Sequence, residues 1–437
     1  MAVAAAGWAI LEPGRNRALA EQAVAETGLG NVADKIAKNH RKTLGLLRDL
    51  RGAKSAGVIR EDARLGLTEI ARPVGVIAAV TPSTNPAATP ANSAINALKG
   101  RNAIVLAPSP KGAGTCARLL QFIHAELAKI GLPADLVQML PPPVSKPQTA
   151  ELMRLADLVV ATGSRANVRA AYGSGTPSLG VGAGNVAAIV LPEADMSLAA
   201  ARIAASKTFD NATSCSSENS LVIVGEAWRA LIGALESEGG VLLAEDAAAR
   251  LQSAMFPDGR LAPEAVGRDA PSLVRLAGFD PQAFPAVRFL MVEQQPLQIG
   301  PDHPFSGEKL SPVVALYRAR DFAHAIALVQ ALYEHQGKGH SVGIHGGGPQ
   351  DWLRLGLELP VCRVIVDQVH CVATGGAFDN GLPFSLSMGC GTWGGNGFSD
   401  NLNYRHFLNI TRIVRPIPPR TAEVEDVLGD FWSAYGR

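Results

Sequence analysis

Short hydrophobic runs alternate with amphipathic helical patterns through the first half of the chain. The runs are rich in β-branched residues and lie at 74–80, 103–107, 157–161 and 187–191. The stretch 112–130 between them carries one apolar helical face, formed by Cys116, Leu119, Leu120, Ile123, Leu127 and Ile130. Strands that are apolar throughout belong to parallel sheets covered by helices on both faces. The pattern therefore predicts an α/β fold whose first part is a Rossmann-like open sheet.

A second α/β block is predicted to begin near residue 206. Its strand patterns lie at 220–224, 311–317 and 362–367, and its helical patterns lie at 226–237 and 320–333. We expect this block to form a second sheet with its own helices.

The remaining segments have less regular patterns. The glycine-rich tract 375–401 is predicted to be a loop that lets the backbone approach another group closely, and 407–414 forms a tail. Residues 15–50 carry a helical pattern. The apolar start has no Lys or Arg ahead of it and ends at Glu12-Pro13, so we expect an ordinary helix and not a signal peptide.

Composition narrows the class of protein. With 437 residues, 47% of them hydrophobic, the chain is long enough for two or three packed domains. A net charge of +1 gives no electrostatic case for nucleic acid or a membrane surface, and no apolar run is long enough to span a bilayer. The five cysteines are scattered without a CxxC pair, which argues against disulfides and structural zinc. We expect a cytoplasmic protein without a metal site.

One cysteine lies in a chemically distinctive position. Cys215 is flanked by Thr213, Ser214, Ser216 and Ser217 and directly precedes a buried strand. A structural cysteine normally lies inside an apolar run, whereas a thiol in a polar loop at a sheet edge is better placed to ionise and to meet a substrate. From the residue alone, an inert thiol stays open as the alternative.

The surrounding segment, SKTFDNATSCSSENSLVIV (206–224), resembles the nucleophile segment of CoA-acylating aldehyde dehydrogenases, including the aldehyde-oxidising half of bifunctional alcohol/aldehyde dehydrogenases. Further blocks follow the family order over nearly the whole chain: DKIAKNH (34–40), ARPVGVIAAVTPSTNPAATP (71–90), RNAIVLAPSP (101–110), VVATGSRANVRAAYGSGTPSLGVGAGN (159–185), HPFSGEKLSPVVALYRARDF (303–322), GKGHS (337–341) and GCGTWGGN (389–396).

The resemblance implies the aldehyde dehydrogenase fold. It divides the chain into an NAD(P)-binding domain at 1–205, a catalytic domain at 206–400 and a return segment at 401–437. Tails of this kind commonly join subunits in the family, so a homodimer or homotetramer is expected.

The resemblance also implies three catalytic roles. Cys215 is the nucleophile that forms a thioester with the substrate. The alkoxide formed on the way needs hydrogen-bond donors; Asn85 is preferred over its neighbour Thr84, and an Asn-Pro turn without a catalytic part is the alternative. His340 is the base, with His345 as its rival and a structural histidine as the alternative for both.

Cofactor residues are implied in the same way. Thr162, Gly163 and Ser164 begin a helix after a strand, where backbone N–H groups suit a phosphate, although a tight turn would look the same. Arg165 is a candidate for the 2′-phosphate of NADP or a solvated helix-end residue. Glu308 matches the family glutamate that holds the nicotinamide ribose. The resemblance implies that Pro82, Ser109 and Gly182 also contact the cofactor.

An absent residue predicts the acyl acceptor. Hydrolytic aldehyde dehydrogenases carry a water-activating Glu in the segment matching 178–185, where this chain has no carboxylate. The resemblance therefore implies that coenzyme A takes the acyl group. The residues beside Cys215 are also similar to those of acylating sulfoacetaldehyde dehydrogenases, so we expect sulfoacetaldehyde as substrate, ahead of acetaldehyde and succinic semialdehyde. Turn-capping hydroxyls are the alternative. A non-catalytic binding or scaffold homologue and a reductase of activated acids are the competing classes of function.

Overall fold

The computed structural model describes residues 1–182 and 184–437. Its strands are β1 (Gly57–Asp62), β2 (Leu67–Pro73), β3 (Val76–Thr81), β4 (Ala103–Pro108), β5 (Val137–Met139), β6 (Leu158–Thr162), β7 (Ser178–Val181), β8 (Val186–Val190), β9 (Glu218–Val224), β10 (Gly240–Leu242), β11 (Phe289–Gln294), β12 (Val313–Ala319), β13 (Val342–His345), β14 (Val364–Val366) and β15 (Leu408–Val414).

The helices come before, between and after these strands. They are α1 (Ala2–Leu11), α2 (Pro13–Thr27), α3 (Val32–Leu50), α4 (Ala88–Lys99), α5 (Ala113–Ala128), α6 (Lys146–Leu155), α7 (Arg165–Tyr172), α8 (Met196–Thr208), α9 (Ala227–Ser237), α10 (Glu245–Met255), α11 (Ala270–Leu276), α12 (Phe322–His335), α13 (Pro349–Glu358), α14 (His370–Ala373) and α15 (Val424–Tyr435).

The first sheet is the predicted open parallel sheet. Its strands lie in the order β5-β4-β3-β6-β7, and every pairing is parallel. Ile77 and Leu106 of the sheet pack in one buried cluster with Ile95 of α4 and Leu119 of α5. Parallel strands bring their carboxyl ends to the same edge, so the loops after β3, β4 and β6 meet there. The α/β prediction is confirmed.

The second sheet places the predicted nucleophile. Its strands lie in the order β10-β11-β12-β9-β8-β13-β14, all parallel, with the fully buried β9 at its centre. The structure differs from the predicted division at residue 205, because β8 pairs with β9 and β13 here and not with the first sheet. A buried apolar strand can pair in either sheet, and its pattern does not distinguish the two.

The helical pattern at 15–50 forms two helices and not one. Gly28 ends α2 with a left-handed φ of 66°, and the side chain of Asn31 caps α3 by accepting a hydrogen bond from the Asp34 N–H. Between them, Gly30 has a φ of 72° and lies so close to Asp210 that a Cβ would overlap its carboxylate. The break therefore brings the start of α3 against the segment that precedes Cys215.

The tail pairs with a strand from the first half of the chain. Strand β15 pairs antiparallel with β2, which also pairs with β1, in a three-stranded sheet. Helix α15 has no buried residue. The glycine-rich tract 375–401 is irregular apart from a short turn at Thr392–Gly394. Within the described residues, no helix combines the length and apolar character needed to cross a membrane.

Candidate active site

Cys215 lies in the turn between α8 and β9, as the sequence predicts. The chain reaches it through Asp210, Asn211 and Ala212, whose φ angles of 50°, 51° and 57° lie in the left-handed region. Non-glycine residues occupy this region at an energetic cost and persist there only when their surroundings hold them. The loop before the thiol is therefore fixed by contacts elsewhere in the fold.

The main anchor of this loop is the buried carboxylate of Asp210. Its Oδ2 accepts hydrogen bonds from Nζ of Lys38 at 2.5 Å, from the hydroxyl of Thr213 at 2.8 Å and from Nζ of Lys35 at 3.1 Å. Burial raises the pKa of Asp210, but the charges of Lys38 and Lys35 outweigh it and leave the pKa below its usual value. Two cations of α3 thus hold the nucleophile loop.

The thiol faces a chain of buried polar side chains. Sγ of Cys215 lies 3.4 Å from Nε2 of His340, whose Nδ1 lies 2.8 Å from the hydroxyl of Ser341. That hydroxyl lies 2.9 Å from Nε2 of His370. Burial, followed by the charge of Arg363, lowers the pKa of His340 to about 3, so its imidazole is neutral at pH 7. A neutral ring can accept a proton from the thiol.

Ionisation of Cys215 is less favourable than its polar neighbours suggest. Burial, followed by the charge of Glu308, raises its pKa to about 12. The polar sequence neighbours predict the opposite direction, because hydroxyl groups near the sulfur favour the thiolate. The hydroxyl of Thr213 is bound to Asp210, and Ser214 accepts the Ser216 N–H at 3.3 Å within the turn. These two groups hold the loop, and the hydrogen bonds that the Ser216 side chain and the Cys215 backbone offer the sulfur lower its pKa less than burial raises it.

Asn85 lies in the same cavity as Cys215, and so does Thr84. Oδ1 of Asn85 accepts a hydrogen bond from Nζ of Lys38 at 2.9 Å. An amide whose oxygen is engaged in this way has its NH₂ group left for another acceptor. Thr84 is held through its backbone carbonyl, which accepts from Nζ of Lys35 at 3.1 Å. The Asn85 amide is thus held with its NH₂ group available, and its preference over Thr84 stays a prediction.

A cavity of about 440 Å³ brings most of the predicted site together. It is lined by Pro82, Asn85, Ser109, Thr162, Gly163, Ser164, Gly182, Cys215 and Glu308. His340 lies behind Cys215, and the exposed Arg165 begins α7. His345, the rival base, ends β13 with its Nδ1 3.6 Å from the carboxylate of Asp367, and it does not line this cavity.

The cavity wall beside the first sheet fits a dinucleotide. Pro82, Ser109 and Gly163 follow the carboxyl ends of β3, β4 and β6, where such cofactors bind in open α/β sheets. A Cβ added at Gly163 would meet nothing closer than 3.8 Å, so the backbone there is open to a ligand. Burial raises the pKa of Glu308 to about 8, partly offset by the Gly184 backbone and by Arg165. Its carboxyl group is a natural partner for ribose hydroxyls.

The segment before β8 packs directly against the nucleophile. A Cβ added at Gly184 would overlap the carbonyl oxygen of Cys215. No side chain therefore fits at position 184, and Gly182 has no side chain. Ala183, which belongs to the predicted segment 178–185, lies outside the described residues. Among the described residues lining the cavity, Glu308 is the only carboxylate.

Sequence reasoning missed several residues of this site. Lys38 lies in the block 34–40, but the sequence predicts no function for it. A signal was present, because the spacing of Lys38, Arg41 and Lys42 places three cations on one face of a helix. Ser341 follows His340 directly, and His370 comes from a distant helix. For His370 no local signal exists, because only the fold brings it near.

Comparison with known proteins agrees with this geometry. The family model described as "Aldehyde dehydrogenase family" matches residues 15–247. The chain is 63% identical to "Sulfoacetaldehyde dehydrogenase (acylating)" of Cupriavidus necator over 436 residues, which cover 100% of this chain and 88% of that protein. It is 40% identical to the protein of the same name from Bilophila wadsworthia, with 99% and 93% covered.

The chain belongs to the aldehyde dehydrogenase family. The fold agrees with a solved acetylating aldehyde dehydrogenase from Geobacillus thermoglucosidasius, with a TM-score of 0.91, 33% identity and coverage of 97% of this chain and 92% of that chain. The family match includes Asn85 and Cys215, and the relatives extend it over Glu308 and His340. The resemblance to acylating members of the aldehyde dehydrogenase family is confirmed.

Proposed function

We propose that the protein oxidises sulfoacetaldehyde to sulfoacetyl-CoA, with NAD or NADP as oxidant and coenzyme A as acyl acceptor. The observation that carries the proposal is the contact between Sγ of Cys215 and Nε2 of the neutral His340 in the cavity that also holds Asn85 and Glu308. The name of the 63% identical relative supports the substrate.

The chemistry begins with proton transfer. His340 takes the proton of Cys215 as the sulfur adds to the aldehyde carbon, and the charge on the former carbonyl oxygen is stabilised by the amide of Asn85 and the backbone N–H of Cys215. Bound NAD(P) supplies the cationic hydride acceptor for this site. Cys215 then carries the acyl group as a thioester until the thiol of coenzyme A displaces it. Overall, aldehyde, coenzyme A and oxidised cofactor give acyl-CoA, reduced cofactor and a proton.

Transfer to coenzyme A is favoured over hydrolysis by the lack of a suitable base. Gly184 leaves no space for a carboxylate beside the nucleophile, and Glu308 is suited to the ribose. Burial raises the pKa of Glu308 to about 8, so the protonated form, which cannot accept a proton from water, predominates at pH 7. Water in the site therefore lacks strong activation, whereas a thiol is the better nucleophile.

The deciding experiment is a substrate and acceptor panel on the purified protein. Sulfoacetaldehyde, acetaldehyde and succinic semialdehyde are each supplied with NAD or NADP, with and without coenzyme A, and products are identified by mass spectrometry. We expect acyl-CoA formation, strict dependence on coenzyme A and the highest kcat/KM with sulfoacetaldehyde. Free acid formed equally fast without coenzyme A contradicts the acceptor, and a preference for acetaldehyde contradicts the substrate.

Two variants separate catalysis from a binding or scaffold role. Cys215→Ser is expected to lose activity by more than about 1000-fold, because a hydroxyl is a much weaker nucleophile than a thiol. Cys362→Ser is the matched control, since Cys362 is a half-buried thiol that does not line the cavity. Unchanged activity in Cys215→Ser excludes Cys215 as the nucleophile, whereas a parent protein without activity on any aldehyde of the panel supports the non-catalytic alternative.

We extend the proposal to a cytoplasmic homodimer or homotetramer. All five cysteines are free, which suits a reducing compartment. Strand β15 is mostly exposed, as is α15, whose Val427 and Phe431 are 66% and 57% exposed. Apolar residues exposed together are typical of a surface that another subunit covers. A monomer in gel filtration with light scattering contradicts this part.

A further inference from the structure

The catalytic cavity has an excess of positive charge. Helix α3 contributes Lys38, Arg41 and Lys42 to its wall, spaced so that they share one helical face. Among the described lining residues the only carboxylate is Glu308. Because cavities focus the field of the charges that line them, this arrangement attracts a small anion.

Two of the three cations have partners within the protein. Nζ of Lys38 is bound by Asp210 and Asn85. Nζ of Lys42 donates to the backbone carbonyls of Gly375 and Gly376 at 2.6 and 3.3 Å. Lys42 therefore has its ammonium group engaged by backbone carbonyls, and burial lowers its pKa.

Arg41 differs from both lysines. Within residues 1–182 and 184–437 its guanidinium forms neither a hydrogen bond nor an ion pair. Its carbon Cζ lies 5.7 Å from the ring centroid of Phe209, which also lines the cavity. Burial lowers its pKa, with the charges of Cys371 and Asp379 acting in the opposite direction, but a guanidinium stays protonated at neutral pH. A half-buried cation without a partner is costly unless an anion binds it.

The hydroxyls beside Cys215 are largely engaged within the loop. Thr213 donates to Asp210, and Ser214 and Ser216 hydrogen-bond within the turn. The sequence suggested these hydroxyls as the sulfonate contact, with turn capping as the alternative, and the geometry favours capping. These hydroxyls are neutral, so an anionic substrate end gains more from a cationic partner in the cavity.

We infer that Arg41 binds the sulfonate of the substrate and selects aldehydes with an anionic group near the carbonyl. The inference rests on the proposed function for the identity of that anion. A guanidinium presents a planar fork of donors that matches two oxygens of a sulfonate and stays charged throughout the neutral pH range. The aldehyde end of the same small molecule then lies toward Cys215, which lines the same cavity.

The experiment compares Arg41→Met, Arg41→Lys and the parent at saturating NAD(P) and coenzyme A. Arg41→Met keeps most of the apolar stem, and Arg154→Met is the control, since Arg154 is an exposed arginine paired with Glu151 outside the cavity. The readout is the ratio of kcat/KM for sulfoacetaldehyde to that for acetaldehyde. We expect this ratio to fall about 30-fold in Arg41→Met, mainly through KM, and to recover partly in Arg41→Lys. Arg154→Met is expected to leave the ratio unchanged.

A binding measurement separates this inference from the proposed function. The unreactive sulfonate 2-hydroxyethanesulfonate is tested as a competitive inhibitor of acetaldehyde oxidation, and its binding is followed by thermal shift in all variants. Weaker inhibition and a smaller shift in Arg41→Met support the sulfonate site, even if the parent enzyme prefers another aldehyde. Three results overturn the inference. Arg41→Met loses activity equally with both aldehydes, the sulfonate inhibits the parent and Arg41→Met equally, or the only change is in the KM of coenzyme A or NAD(P).

Discussion

Nε2 of His340 lies 3.4 Å from Sγ of Cys215, and the two groups have pKa values displaced in opposite directions. The pKa of the thiol is raised to about 12 and that of the imidazole is lowered to about 3, mainly by burial in both cases. Burial disfavours the charged form of each, so the pair rests as a neutral thiol and a neutral ring. Burial thus favours the thiol form of Cys215 beside a ring that has a free lone pair.

The first prediction concerns the pH dependence of thiol reactivity. The thiolate is the reactive form, so alkylation of Cys215 by iodoacetamide in the protein without ligands is expected to rise about tenfold per pH unit from pH 7 to 10, without a plateau. Adding oxidised cofactor brings a cation close to the sulfur and is expected to move the profile to lower pH. Cys215→Ser gives the background from the other thiols. A plateau between pH 7 and 9 without cofactor contradicts the raised pKa.

The second prediction concerns Ser341 as a positioning residue. If Nε2 of His340 accepts the thiol proton, Nδ1–H must donate to Ser341, which in turn donates to His370. Without this hydroxyl, in Ser341→Ala, the His340 ring can also adopt the tautomer with its proton on Nε2, which cannot accept the thiol proton. We therefore expect kcat to fall about tenfold with little change in KM. His340→Gln, which removes the base itself, is expected to lower kcat about 100-fold.

Ser311→Ala is the control for this pair of variants. Ser311 is a buried serine whose hydroxyl has no partner among the described residues. Its loss is expected to leave kcat unchanged. The positioning role is excluded if Ser341→Ala behaves like Ser311→Ala while His340→Gln loses activity.

The sequence predicts the strands and the nucleophile better than the surroundings of the nucleophile. Continuous apolar runs identify β3, β4, β6, β9 and β12, because the pattern records burial on both faces. The apolar pattern does not show which strands pair with each other. It places β8 in the first sheet, whereas in the structure β8 lies in the second sheet. Strand pairing depends on contacts between distant segments, which no local pattern contains.

The residues of the candidate site also divide into those that a local sequence pattern indicates and those that only the fold brings together. Cys215, Asn85 and Glu308 could be found because each lies in a distinctive local block. His370 approaches the site only through the fold, and the partners of Thr213 become evident only when Asp210 is in place. The raised pKa of Cys215 has the same origin: its neighbours in sequence are polar, but burial by the folded chain outweighs them.

The third prediction distinguishes Asn85 from Thr84. Lys38 holds Oδ1 of Asn85 and leaves its NH₂ group free to stabilise the alkoxide, so Asn85→Ala is expected to lower kcat about 100-fold. Thr84→Val keeps the backbone carbonyl that Lys35 binds and is expected to change kcat less than about fivefold. Steady-state kinetics with sulfoacetaldehyde and acetaldehyde measures both. The assignment is reversed if Thr84→Val is the more damaged enzyme with both aldehydes.

The fourth prediction concerns the Asp210 anchor and the stability of the fold. Asp210→Asn preserves the size of the side chain but leaves the ammonium groups of Lys35 and Lys38 buried without a counter-charge. Removing one partner of such a buried pair destabilises proteins by about 3 kcal/mol or more. We expect a loss of this size in the free energy of unfolding, measured by urea denaturation at pH 7. Asp302→Asn, an exposed control, is expected to change it by less than about 0.5 kcal/mol.

The pH dependence of this difference gives the stricter test. The pKa of Asp210 in the folded protein is lower than its ordinary value of 3.8, so the stabilisation is fully present above that value and is lost as pH falls through the folded pKa. The difference between parent and Asp210→Asn should stay constant from pH 6 to 7 and shrink below about pH 4. A difference that persists unchanged in acid would mean that the charge of Asp210 contributes nothing to holding the nucleophile loop and that Asp210 acts through the hydrogen bonds that its carboxyl group makes.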